Sequence, residues 1–549
     1  MYLDNRKTKQ SREVAMANQV VALDGQSLTI PDVVAIARGD GNSYPRVILT
    51  EETRERMQKM RGEIERKIDA GEIMYGINTG CGSRSDHTIL RKDLLRNQKK
   101  YIMSHCCGVG GLLRKEIVRA MLALRVNSFA VGHSGVTIEL CDMILDLLNS
   151  DIIPAIPKYG SVGASGDLIP LAHVGAVLIG IPETEVFYKG EVCNTLEVFA
   201  KEGIQPYELQ PKEAMGLTNG ATMILAYSVL AVHDSEDLFC MSNILTALNM
   251  EAIRGEMNAF DPRIHKARRQ HGQIVCARAI RKYLNGSRRV TKKSQSIHLP
   301  GDIERTCDIR RVQDAYSIRC VPQVHGAVWD AIIYLRKIVE NELNAATDNP
   351  LIFENKDTGY SVLSGGNFHG EPLAIPLDTL AIAITNLAYI SQCRLFRLLN
   401  TKLSNGLPQD LSGSDESDDT GLMLTQYCSA SLVNMDAVLA SPASVINVPT
   451  SGLQEDHVSM GATSAWKIRK IIVNAQSVFA LELLAVCQAI DLAEKYLGEH
   501  SRLGAGTRLV HGFVRQHVPM MVEDRYLHYD IKILWQLIRS REIVKLLGH

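Results

Sequence analysis

Gly326-Ala327-Val328-Trp329-Asp330-Ala331-Ile332-Ile333-Tyr334-Leu335-Arg336-Lys337-Ile338-Val339-Glu340-Asn341-Glu342-Leu343-Asn344-Ala345-Ala346 sets the architecture. Val328, Ile332, Leu335, Val339 and Leu343 recur at steps of four, three, four and four, which puts them on one stripe of a helix. Asp348-Asn349-Pro350 ends it, because the residue ahead of a proline is pushed out of helical geometry. Segments of similar length and pattern lie around 218–250, 376–403 and 457–497. Helices of about thirty residues need neighbours along their whole length. The expected fold is therefore mainly α, a long-helix bundle extended by self-association.

Outward from this bundle toward the N-terminus, strand content is small. Val20-Val21-Ala22-Leu23 and Ser27-Leu28-Thr29-Ile30 flank Asp24-Gly25-Gln26 and read as a hairpin. Glu51 to Ala70 is charged and helical, closed by Gly71. Met74-Tyr75-Gly76-Ile77-Asn78-Thr79-Gly80-Cys81-Gly82 reads as a mobile glycine-rich loop, and Lys115 to Asn149 is helical with an interruption near Gly132 to Gly135. Val186 to Val192 reads as a second hairpin. The expected division is a polar, mobile stretch over 1–18, a smaller N-terminal domain with minor strands over 19–215, and the long-helix bundle over 216–549.

Bulk properties exclude several classes of function. Sixty Lys and Arg face 61 Asp and Glu, so neither nucleic acid nor an anionic membrane is expected as a partner. The start of the chain lacks the apolar core of a secretion signal, and no apolar run approaches the ~18 residues of a membrane span. Twelve cysteines include no C-x-x-C, so neither zinc nor a disulfide scaffold is expected. His369 and Glu371 lack the H-E-x-x-H spacing, and the acidic run Ser412 to Asp419 lacks the ligand pattern of a calcium loop. A cytoplasmic protein without a metal is expected.

Gly160-Ser161-Val162-Gly163-Ala164-Ser165-Gly166-Asp167 carries the chemistry. Three glycines in seven residues let the backbone fold back on itself. Gly/Ser/Asp runs are ordinarily turns, and a phosphate loop would need a following lysine that is missing here. The order Ala164-Ser165-Gly166 permits something else. The unhindered amide nitrogen of Gly166 can attack the Ala164 carbonyl carbon, and loss of water from the ring and from Ser165 leaves an alkene conjugated with a carbonyl. No ordinary side chain supplies such an electrophile.

Gly160 to His173, together with Tyr75-Gly76-Ile77-Asn78-Thr79-Gly80, Leu217-Thr218-Asn219-Gly220, Gln313-Asp314-Ala315-Tyr316-Ser317-Ile318-Arg319-Cys320 and Gly365-Gly366-Asn367-Phe368-His369-Gly370-Glu371-Pro372, resembles the aromatic amino acid ammonia-lyase and aminomutase family. The resemblance runs from about Ser27 to about residue 540 and leaves the helical fumarase-like lyases as a fold-level alternative only. It implies a 4-methylidene-imidazol-5-one prosthetic group formed from Ala164-Ser165-Gly166, with no dissociable cofactor, in a homotetramer that shares its sites between subunits. It further implies that Tyr75 is the base for the β-proton, that Tyr316 lies beside the electrophile, that the asparagine at Asn219 lines the site as a catalytic residue, and that Arg319 clamps the substrate carboxylate, a task suited to a planar fork of donors. Gln313, Asn349 and Phe368 match further residues of the family's site.

Three positions bear on the substrate. His105 in Ser104-His105 accords with a polar substrate ring, and Glu455 in Gln454-Glu455-Asp456-His457-Val458-Ser459-Met460 resembles the histidine-specific branch, as does Met423. A carboxylate accepts an imidazole N–H and gains strength with imidazolium, whereas phenylalanine and tyrosine enzymes usually carry Gln there. The implied activity is elimination of ammonia from L-histidine to give trans-urocanate. Its alternatives are an aminomutase making a β-amino acid and a tyrosine or phenylalanine ammonia-lyase. Cys81, Leu453 and Gln409-Asp410 depart from the family's pattern.

Overall fold

A computed structural model describes residues 19–39, 43–80, 82, 86–301, 313–357, 359–414 and 419–548. The expected mobile stretch 1–18, Cys81 and the middle of the acidic run lie outside the described residues. The helices at the anticipated places run over Thr222–Ala252, Val321–Glu342, Glu371–Leu398 and Gly461–Leu497. The chain forms two compact units. One consists of Met1–His233, Leu335–Leu377 and Pro442–Trp466, and the other of Asp234–Tyr334, Asp378–Ser441 and Lys467–His549, so four of the five boundaries fall inside those helices and the fifth lies between Ser441 and Pro442.

In the first unit the helix Lys115–Ala130 is buried continuously from Ile117 to Ala130, which makes it the core element. The first expected hairpin does not form. Val20–Leu23 pairs in parallel with Arg46–Leu49, and Ile30–Arg38 is a helix between them. Thr29 and Asp32 form a reciprocal capping box, and Pro31 sits in the first turn, where its missing N–H leaves no gap. The alternation at Ser27 to Ile30 thus belongs to a helix start, with Leu28 and Ile30 buried. The second hairpin does form, with Glu185–Tyr188 antiparallel to Glu191–Asn194.

A further hairpin, Leu351–Asn355 with Gly359–Leu363, follows the asparagine-proline stop. Its Ile352 packs with Met60, Ile64, Met74 and Ile77. Burial of Met74 and Ile77 anchors both sides of Tyr75, so the glycine-rich loop is tethered where the sequence alone suggests only mobility.

The second unit holds a buried ion pair between long helices. Arg394 Nε donates to Glu482 Oε1 at 2.6 Å with both side chains 0 % exposed, and Asn249 donates to the same oxygen at 2.6 Å. Breaking such a pair is strongly destabilising because it strands a charge. Two helices, Glu371–Leu398 and Gly461–His500, are long and apolar enough to cross a membrane by length and composition, contrary to the expectation that no run would approach that length. Their most apolar windows are 61 % and 89 % buried inside the protein. A helix that is apolar nearly all round is what a bundle core requires.

Candidate active site

The Ala164-Ser165-Gly166 turn is held from several sides. Gly166 forms a parallel bridge with Gly220: Gly220 N donates to Ser165 O at 3.2 Å, and Asp167 N donates to Gly220 O at 2.8 Å. A Cβ on Gly166 would lie 2.1 Å from the Gly220 carbonyl carbon, and the residue sits at φ +73, so only glycine fits. Gly163 O accepts from Gly370 N at 3.1 Å and from Ser459 Oγ at 3.1 Å. The turn leads directly into the helix Leu168–Leu178, so the positive end of that helix faces it.

Asp167 anchors the turn from below. Its carboxylate accepts from Ser161 Oγ at 2.8 Å and from Ile224 N at 2.9 Å while being 0 % exposed. Burial pushes its pKa up to about 6, against the opposing effect of those hydrogen bonds.

Above the turn opens a cavity of about 1200 Å³. Ala164, Ser165, Leu168, Met215 and Asn219 form one wall, and Asn97, Lys100, Tyr101, Ser104 and His105 contribute one face of the helix Leu94–His105. The remaining walls come from Tyr75, Thr79 and Gly80, from Asn349, Ser364 and Phe368, and from Gln454 to His457.

Within this cavity the Ser165 hydroxyl donates to Glu455 Oε1 at 2.9 Å, and Thr450 Oγ1 donates to the other carboxylate oxygen at 2.6 Å. The Tyr75 hydroxyl accepts from Gly82 N at 3.1 Å. His105 Nδ1 lies 2.7 Å from the Tyr101 carbonyl, and the two rings stack at 4.0 Å. A carbonyl can only accept, so Nδ1 carries the proton and Nε2 is left as an acceptor. Burial lowers the His105 pKa, opposed by the Tyr101 carbonyl and by Glu455. Asn349 accepts from Gly365 N at 2.7 Å and donates to Ser364 Oγ at 3.0 Å. The buried Asn219 Oδ1 meets no partner among the described residues.

Of the residues singled out in the sequence, Tyr75, His105, Ala164, Ser165, Asn219, Asn349, Phe368 and Glu455 line this cavity, with Gly166 in the turn beneath. Gln313, Tyr316, Arg319 and Met423 belong to the second unit and are not among its lining residues. Tyr316 is 70 % exposed, with the Arg319 guanidinium 4.8 Å from its ring centroid. Sequence reasoning missed Asn97, Lys100 and Tyr101. Their steps of three and four back from Ser104 and His105 on one helix were the available signal.

Residues 28–516 match the family model described as aromatic amino acid lyase. The chain is 42 % identical over 527 residues to the histidine ammonia-lyase of Caldanaerobacter subterraneus subsp. tengcongensis, covering 96 % of this chain and 98 % of that one. Among solved structures, tyrosine aminomutase from Streptomyces globisporus is similar with a TM-score of 0.87 and 34 % identity over 96 % of this chain and 98 % of that one. Histidine ammonia-lyase from Trypanosoma cruzi is similar with a TM-score of 0.85 and 34 % identity, covering 96 % and 95 %.

Proposed function

We propose, from the premise that the chain belongs to the aromatic amino acid lyase family, that it eliminates ammonia from L-histidine to give trans-urocanate. The observation that carries this reading is the meeting of Ser165 and Glu455 at 2.9 Å in the cavity, which brings the site of the electrophile within reach of a carboxylate suited to an imidazole.

The residues present fit a 4-methylidene-imidazol-5-one ring made from Ala164-Ser165-Gly166. The turn is tight, and with φ +73 and the Gly220 carbonyl carbon 2.1 Å from any added Cβ nothing but glycine can occupy 166. Once formed, that group would supply an electron-poor alkene able to draw density from the substrate amine or from the substrate ring.

The chain's own side chains do the rest. The Tyr75 hydroxyl, on a loop tethered by Met74 and Ile77, removes the β-proton. As a phenol titrates near ~10 in water, it needs surroundings that favour its ionised form. The Gly82 N–H already donates to its oxygen, which is support of that kind. Glu455 accepts one imidazole N–H, and the Nε2 of His105 offers a second acceptor in the same cavity. Closing the glycine-rich loop over substrate would exclude water.

Arg319 and Gln313 bind the substrate carboxylate, with Tyr316 beside the electrophile and Met423 against the ring. All four are in the second unit, and the reading supplies them from neighbouring copies in a homotetramer. The enzyme would work in the cytoplasm on a small-molecule amino acid.

Incubation with L-histidine, L-tyrosine and L-phenylalanine, followed by separation of alkenes from β-amino acids, tests the reading. Trans-urocanate as the main product supports it. A β-amino acid as the main product would transfer the chain to the aminomutases, in keeping with its similarity to tyrosine aminomutase.

A further inference from the structure

We infer that Arg125 is a positioning residue for ring closure at Ala164-Ser165-Gly166: its guanidinium backs Gly220, and Gly220 holds the backbone on both sides of Gly166. The inference rests on the proposed reading of that triplet and concerns how the electrophile is made.

Arg125 lies buried on the core helix Lys115–Ala130. Its Nη1 donates to Thr222 Oγ1 at 3.3 Å, and the guanidinium carbon stands 4.6 Å from the Phe129 ring centroid. A Cβ built on Gly220 would fall 2.3 Å from Nη1, so the guanidinium leaves Gly220 no room to retreat. Gly220 N–H donates to the Ser165 carbonyl, and Gly220 O accepts from the Asp167 amide. Gly166 is thereby pinned at both flanks with φ +73.

Space filling alone does not explain an arginine here. Nε and Nη2 make no hydrogen bond among the described residues. The carboxylate that offsets its burial, Asp348, is bonded directly to Lys212 Nζ at 2.8 Å and to Ser134 Oγ at 2.9 Å. A buried cation without a carboxylate of its own is unfavourable, and an apolar side chain of similar volume is often as stable or more so. What the guanidinium adds is a rigid, planar, charged wedge behind Gly220.

Ring closure needs such a wedge because an amide nitrogen is a poor nucleophile unless geometry is imposed on it. In the first step the Gly166 nitrogen bonds to the Ala164 carbonyl carbon, and the carbonyl electron pair goes to oxygen, which takes the proton from that nitrogen. The oxygen then leaves as water with the amide proton of Ser165, forming the ring C=N bond. The second water takes the Ser165 hydroxyl and its Cα hydrogen, forming the alkene. Gly220 acts throughout as the clamp that keeps Gly166 from relaxing into an open turn.

The test follows loss of two waters by intact mass, with near-ultraviolet absorbance beside it, in freshly synthesised full-length chain. Arg125→Met, shown to be folded by circular dichroism, should mature at least tenfold more slowly than the natural chain. Arg125→Lys, which keeps the cation and stem but not the planar fork, should fall between them. A general loss of stability would lower Tm without ranking the maturation rates in this order. Maturation of Arg125→Met at the natural rate overturns the inference. Should Arg125→Met not fold, maturation of Arg125→Lys at the natural rate overturns it equally. If the natural chain itself never loses two waters, the reading of the triplet fails first, and that outcome is distinct from either.

Discussion

Ser165 and Glu455, 290 positions apart in the chain, are joined by a hydrogen bond of 2.9 Å in which the serine hydroxyl donates to the carboxylate. The residue that the reading dehydrates and the residue that it assigns to the substrate ring therefore share one end of the cavity. Glu455→Gln keeps an acceptor oxygen for Ser165 while removing the charge. The variant should still lose two waters, yet its kcat/KM for L-histidine should fall about 30-fold, the effect of losing a charged hydrogen bond worth about 2 kcal/mol. Unchanged turnover of histidine would remove Glu455 from substrate recognition.

Ser165→Ala cannot yield the alkene. Its intact mass should lack the loss of two waters, and kcat/KM should drop by about 10³-fold or more, equivalent to about 4 kcal/mol of barrier. Activity near that of the natural chain would end the covalent reading of the triplet.

Tyr75→Phe keeps the ring that sits between the anchors Met74 and Ile77 and removes only the hydroxyl. If that oxygen takes the β-proton, kcat should fall by about 10²- to 10⁴-fold with KM little altered. A rise in KM at constant kcat would instead make Tyr75 a contact residue.

Shared sites predict complementation. Chains carrying Ser165→Ala and chains carrying Arg319→Ala, each inactive alone, should recover activity when co-expressed, because a mixed assembly contains some sites with an intact Ser165 from one copy and an intact Arg319 from another. In a random equimolar mixture about a quarter of sites would be intact. Absence of any recovery, in assemblies shown by mass to be mixed, would place both residues of each site in a single chain.

The buried Asp167 should leave a mark on stability against pH. Its folded pKa is about 6 against 3.8 in the unfolded chain, so the folded state holds the proton more tightly. Stability from this group is fully present below about pH 4 and is lost as pH rises through about 6, an effect of roughly 3 kcal/mol. Asp167→Asn cannot titrate, so its Tm measured from pH 4 to 7 should lack that descending component. Parallel curves for the two proteins would show that Asp167 does not titrate in this range.

Much of the helix content was legible because a stripe such as Val328 to Leu343 is a local pattern. Strand pairing was less so. Val20–Leu23 found its partner at Arg46–Leu49 and not in the apolar run next to it, because Thr29-Ile30-Pro31-Asp32 satisfies a helix start better than a strand. The hairpin after Asn349 escaped notice because its strands lack strict alternation. Tyr101 escaped as well, since an isolated tyrosine on a helix carries no mark of function until its ring stacks on His105.

From the order of residues alone came the long-helix architecture, the chemistry open to Ala164-Ser165-Gly166 and the candidate base Tyr75, since each depends on neighbours within a few positions. Tertiary structure alone decided that Glu455 reaches Ser165, that Gly220 clamps Gly166 with Arg125 behind it, and that Gln313, Tyr316, Arg319 and Met423 belong to a different unit from the cavity. Such approaches join segments far apart in the chain, and it is the packing of buried surfaces, with no periodicity of its own in sequence, that brings those segments together.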